Sequence, residues 1–115
     1  MKIVEKPWGR EIWLAHTDRY ALKLIEIKKG TRSSLQYHER KHEHIYVDSG
    51  LLQVERETES GIMETVVLQA GAVLENKPGR KHRVTALEDV RVIEVSTPEL
   101  EDVVRIEDDY GRSSS

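Results

Sequence analysis

The chain sustains no long apolar repeat of helical period. Short runs with strand character, at 21–28, 31–38, 42–47, 51–57, 62–68, 81–85 and 90–95, are instead separated by turn-forming clusters such as Glu39-Arg40-Lys41, Asp48-Ser49-Gly50 and Gln69-Ala70-Gly71. A period of two sends alternate side chains to opposite faces, so each run buries one face and must stack against another sheet. The predicted fold is all-β, a sandwich or barrel of the jelly-roll kind. One stretch, 98–106, spaces Leu100, Val103, Val104 and Ile106 so as to predict a short amphipathic helical turn near the C-terminus.

A length of 115 residues allows one core, and the whole chain 1–115 reads as a single domain whose Ser113-Ser114-Ser115 end frays. Cysteine is absent, which excludes disulfide stapling and thiolate chemistry. No apolar stretch approaches the ~20 residues of a membrane span, and the N-terminal residues, with Lys2, Glu5 and Lys6, lack a secretory apolar region. A cytoplasmic setting without a membrane partner is expected. The net charge of −3, with signs mixed along the chain, argues against nucleic acid, which calls for a basic stripe. The edges of so small a sandwich favour pairing, so a homodimer is expected. Trp8 and Trp13 are expected in the core, with a dimer contact through an added N-terminal strand as the alternative.

Chemistry concentrates at four positions. Gln36 and His38 leave the same face of a strand, Glu43 follows a short turn, and His82 arrives from far downstream. Two imidazoles, a carboxylate and an amide oxygen form a donor set for one divalent metal ion with coordination positions left open, zinc first, with manganese, iron, nickel or cobalt as alternatives. His42 and His44 fall on the opposite strand face from Glu43 and are read as surface or supporting residues. Lys23 shares a strand face with Ile25 and Ile27, where an ammonium must pair, snorkel or meet an anion. Of the basic residues flanking His82, alternation lets only Arg80 share its face.

Gly30, Gln36, His38, Glu43 and Gly50, then Gly71, Gly79 and His82, follow a spacing that resembles the two motifs of the cupin family. Gln36 stands for the first histidine of that pattern, Lys77 for its proline and Ala86 for its asparagine. A closer resemblance runs over nearly the whole chain. Lys6-Pro7-Trp8-Gly9, Ser34-Leu35-Gln36-Tyr37-His38, Glu43-His44 and 101–112, which ends Asp109-Tyr110-Gly111-Arg112, are similar to the cupin domain of type II mannose-6-phosphate isomerases. Lys41 occupies the position of that family's arginine and Ile45 that of its tryptophan.

The resemblance implies a cupin jelly roll and a metal-dependent sugar-phosphate isomerase. Its metal on Gln36, His38, Glu43 and His82 would polarise a sugar oxygen, and Lys23, Arg80 or Arg105 would hold the phosphate of a small sugar ligand. No residue stands out as the general base; Lys23, Lys41 and Arg105 are the catalytic candidates. Tyr110 and Arg112 are read as a clamp of the tail onto the sheet. A non-catalytic carbohydrate-binding cupin module and a metal-dependent cupin oxygenase are the alternatives.

Overall fold

The computed structural model describes residues 1–112, and the expectation for Ser113–Ser115 lies outside them. In chain order the strands are β1 (Lys2–Lys6), β2 (Gly9–His16), β3 (Ala21–Ile27), β4 (Leu35–Tyr37), β5 (Glu43–Ser49), β6 (Leu51–Glu57), β7 (Met63–Gln69), β8 (Val73–Asn76), β9 (His82–Ala86), β10 (Val90–Ser96) and β11 (Val104–Glu107). They pair antiparallel in two sheets, ordered β1-β2-β3-β10-β5-β8 and β11-β4-β9-β6-β7. The all-β expectation holds.

The helical turn does not form: no helix is present among the described residues, 98–103 turns, and Val104–Glu107 joins the second sheet as β11. Val104 pairs with Tyr37 and Arg105 with Gln36, so the edge of β4 offers this segment backbone partners that one isolated helical turn would lack.

Alternation along the strands divides the interior into two ends. At one end Ile25 and Ile27 of β3, Val47 of β5, Leu52 and Val54 of β6, and Val90 and Val92 of β10 pack with Trp8 into the apolar core. Toward the other end the same inward faces turn ionisable, with Lys23 on β3, Glu43 on β5 and Glu94 on β10. Register makes this change coherent, since Lys23 lies opposite Trp13 and Glu94 while Ile25 lies opposite Glu11 and Val92. The apolar end stabilises the sandwich and the polar end holds the chemistry.

Arg83, one of the basic residues flanking His82, is buried. Its guanidinium donates to the carbonyls of Ser33 (3.0 Å) and Glu107 (3.2 Å), tying β9 to the segment before β4 and to β11. The Tyr110 hydroxyl donates to the Arg32 carbonyl at 3.1 Å and so ties the tail to the segment before β4, whereas Arg112 pairs within the tail, with Asp108 at 3.0 Å.

Gly50, between β5 and β6, has φ +89°, and a Cβ there would lie 2.2 Å from the Asp89 carbonyl oxygen. Gly71 has φ +94° with open space around it. Gly71→Ala is therefore expected to cost about 1–2 kcal/mol of stability from left-handed backbone alone, and Gly50→Ala clearly more because backbone must also move. Urea unfolding of the two variants measures the difference, and equal losses would show that the contact at Asp89 relaxes freely.

Candidate metal centre

The polar end opens into a cavity of about 310 Å³ whose walls include Glu11, Lys23, Gln36, His38, Lys41, Glu43, His82, Glu94 and Arg105. His38, Glu43 and His82 converge there from the end of β4, the start of β5 and the start of β9, each with one ligand atom within 4.8 Å of the others. All three are at most 5% exposed. The rings of His38 and His82 lie 5.1 Å apart between centroids. Gln36 faces His82 across the β4–β9 ladder, and its amide oxygen accepts the Ser34 hydroxyl at 2.6 Å.

The outer ring nitrogens are committed to backbone. His38 Nδ1 donates to the Asp102 carbonyl at 2.6 Å and His82 Nδ1 to the Arg80 carbonyl at 3.1 Å, which orients both rings and turns both Nε2 atoms inward. His38 Nε2 stands 2.9 Å from Glu43 Oε1, a contact that either a shared proton or a metal ion can bridge. Two imidazoles with one carboxylate, converging within 4.8 Å, are a donor set for a divalent transition ion. Burial lowers the His82 pKa, outweighing the attraction of Glu43, and so keeps the ring neutral as a ligand requires.

Around these three residues runs a charge network. Lys41 Nζ lies 3.4 Å from Glu43 Oε1 and 3.3 Å from Glu94 Oε2. Burial opposes the charge on Lys41, but Glu94 and Glu43 more than offset it and hold its pKa above the ordinary lysine value. Burial also works against the Glu43 carboxylate, yet Lys41 and His38 hold its pKa well below normal. Glu94, buried and beside the negative Glu43, is pushed up to about 7 despite Lys41 and Lys23. Lys23 Nζ bonds Glu11 Oε1 at 2.9 Å, and that same oxygen accepts the Trp13 indole N–H at 2.9 Å.

Of the sequence candidates, Gln36, His38, Lys41, Glu43, His82, Lys23 and Arg105 all line the cavity, and Arg80 does not. Arg80 contributes its backbone carbonyl, because the turn 78–80 carries its side chain away from the pocket. Lys23 already has an internal anion in Glu11. Sequence reasoning missed Glu11, Glu94, Lys6 and Asp102. Alternation carried a signal for the first two, since Glu11 precedes Trp13 by two and Glu94 follows Val92 by two. Lys6 lines the cavity near Arg105 and Arg112, and burial followed by repulsion from Lys23 and these guanidiniums lowers its pKa despite Glu11. Asp102 left no local signal: its carboxylate accepts the amides of Glu39, Arg40 and Lys41 at 3.1, 2.7 and 3.0 Å, while its carbonyl orients His38.

The sequence model of the family described as mannose-6-phosphate isomerase C-terminal matches residues 1–108. Mannose-1-phosphate guanylyltransferase ManC of Salmonella typhimurium is 35% identical over 114 residues, covering 95% of this chain but 23% of its own length. This chain thus spans about a quarter of that relative. Among solved structures, KdgF from Halomonas sp. superposes with a TM-score of 0.76 at 26% identity, covering 89% of this chain and 90% of its own. An RmlC-like cupin from Shewanella frigidimarina gives a TM-score of 0.74 at 22% identity, covering 88% and 86%.

The cupin fold is shown, and the sequence-based expectation of a sugar-phosphate isomerase is corrected. The curated relative bears a guanylyltransferase name for a protein about four times longer, and the shared domain supports a metal-dependent cupin without singling out isomerisation. The physical reason is that one fold positions one donor set for many reactions, and the shared motif residues report the scaffold rather than the chemistry. No helix among the described residues is long and apolar enough to cross a membrane.

Burial opposes the ionised Asp102, but the amides of Arg40, Lys41 and Glu39 prevail and hold its pKa below the ordinary 3.8. A depressed folded value means that the ionised carboxylate stabilises the fold fully above 3.8 and loses that contribution as pH falls through the lower folded value. Asp102→Asn is expected to cost about 1–3 kcal/mol at neutral pH. Urea unfolding of both proteins should show this gap at pH 7 and its decline in strong acid; a gap constant with pH would assign the effect to shape alone.

Proposed function

We infer the function from one premise: this chain belongs to the mannose-6-phosphate isomerase C-terminal family. We propose that it is a metal-dependent cupin that seats a small sugar phosphate against one divalent cation. His38, Glu43 and His82 hold the ion, and the Gln36 amide oxygen completes the set once its side chain turns from Ser34. The observation that carries the reading is the convergence of one ligand atom each from buried His38, Glu43 and His82 within 4.8 Å of one another on the cavity wall. Zinc suits two imidazoles and a carboxylate best, with manganese, iron, nickel and cobalt as alternatives.

When bound, the ion would supply Lewis-acid polarisation of a ligand oxygen. The chain's own residues do the rest. Lys41 compensates the Glu43 and Glu94 carboxylates, and Asp102 keeps the 39–41 turn that carries Lys41 in place. Lys6, Arg105 and Arg112 gather positive charge along the cavity wall, and the mutual repulsion that lowers the pKa of Lys6 and of Arg105, after burial, is what a phosphate would relieve. Arg105 with Lys6 therefore takes the phosphate role, and Lys23 stays with Glu11.

A homodimer and a cytoplasmic setting belong to the same reading. The dimer is supported by the outer face of the first sheet, where Ile12, Leu24, Ile93, Tyr46 and Val73 lie opposite one another across five strands. A second copy would cover that apolar row.

After dialysis against a weak chelator the protein is expected to keep about one ion per chain, and His38→Ala, His82→Ala to keep almost none. Elemental analysis reads the stoichiometry, and full retention by the double variant would remove the centre. In calorimetric titrations Lys6→Met and Arg105→Met should each weaken a hexose 6-phosphate by about tenfold or more while sparing the neutral hexose. Equal losses for both ligands would assign these cations to packing.

A further inference from the structure

His42, His44 and Glu75 form a second convergence of ligand atoms, on the outside of the first sheet. His44 and Glu75 are a directly opposed pair in the β5–β8 ladder, and His42 precedes His44 by two on the same face. His42 Nε2 lies 2.7 Å from Glu75 Oε2, and His44 Nε2 lies 3.7 Å from the same oxygen. The two rings stack with centroids 5.5 Å apart at 28°. All three ligand atoms fall within 4.8 Å of one another, and all three side chains are about 40% exposed or more.

One ion pair between His42 and Glu75 would account for the shorter contact. It leaves unexplained why a second imidazole is stacked on the first with its Nε2 turned to the same carboxylate oxygen. Bond lengths of about 2.0–2.2 Å to nitrogen and oxygen require ligand atoms about 3–3.5 Å apart, so small side-chain rotations from the present positions suffice. The backbone beneath is held still: the His42 amide donates to Thr97 Oγ1 and the Thr97 amide to the His42 carbonyl, both at 3.0 Å, while His44 sits inside β5 between β10 and β8.

We propose that His42, His44 and Glu75 are a second metal site, which takes one divalent ion of the zinc or nickel class. Imidazole donors select such ions over magnesium and calcium, which ask for oxygen alone. The site is separate from the cavity, since alternation puts Glu43 inside and its neighbours His42 and His44 outside. Exposure and the absence of fixing contacts to the outer ring nitrogens make it the weaker of the two. This inference does not rest on the function proposed above.

The test uses the untagged full-length chain, stripped of metal, and titrates it calorimetrically with Zn²⁺, Ni²⁺ and Mg²⁺. In the His38→Ala, His82→Ala background, one Zn²⁺ should still bind per chain, Mg²⁺ should not, and adding His42→Ala and His44→Ala should abolish the binding. Glu75→Gln in that background should weaken Zn²⁺ by about tenfold or more. Zn²⁺ binding unchanged by the His42 and His44 substitutions, or no Zn²⁺ binding in the His38, His82 background, would overturn the proposal. Should that background fail to fold, retention on immobilised nickel compares the parent chain with its His42→Ala, His44→Ala variant: earlier elution of the variant supports the site, and equal retention overturns it. A parent chain that keeps no ion through dialysis, yet shows the His42-dependent binding, would remove the cavity centre and leave this site standing.

Discussion

Charge compensation inside the sandwich is the constraint on which the rest of this structure depends. Glu11, Lys23, Lys41, Glu43 and Glu94 all lie on inward faces, where an uncompensated ion would cost several kcal/mol. The arrangement answers this with alternation of sign: Glu11 holds Lys23, and Lys41 stands between Glu94 and Glu43. Three carboxylates against two ammoniums leave this cluster one positive charge short, and burial together with the neighbouring Glu43 raises the Glu94 pKa to about 7. A cation beside Glu43 would settle the same deficit from the other side.

The centre is assembled by backbone as much as by side chains. His38 and His82 are oriented by carbonyls of Asp102 and Arg80, groups present whatever the side chain at those positions. Asp102 does more, because its carboxylate gathers three successive amides of the turn that leads from His38 to Lys41. One residue thus orients the His38 ring and sets the position of the lysine that neutralises Glu43. Helix formation at 98–106 would have withdrawn that residue from the turn.

This explains what could be read from the chain and what could not. Gln36, His38, Glu43 and His82 were legible because strand alternation and glycine spacing are local patterns that survive in one dimension. Lys23 was legible as an inward lysine for the same reason, but its partner Glu11 was not, since nothing in either strand announces that β2 and β3 place them together. Arg83 carries no local mark of burial, because its cover comes from Ser33 and β11, both remote in the chain. The short strand Val73–Asn76 has four residues, too few for a periodicity to register. Asp102 acts across more than sixty residues through amides, an interaction with no residue-type signature at the receiving end.

The ladder between β4 and β9 is registered through a single pair, Gln36 with His82, whereas β3 and β10 share seven. β4 is also only three residues long and its other neighbour, β11, runs along it with a register shift. Cooperative opening follows the weakest seam, so amide exchange in β4 and β11 should proceed through local fluctuations while β3 and β10 wait for global unfolding. The wall of the cavity that carries Gln36 and Arg105 is then also the wall that breathes.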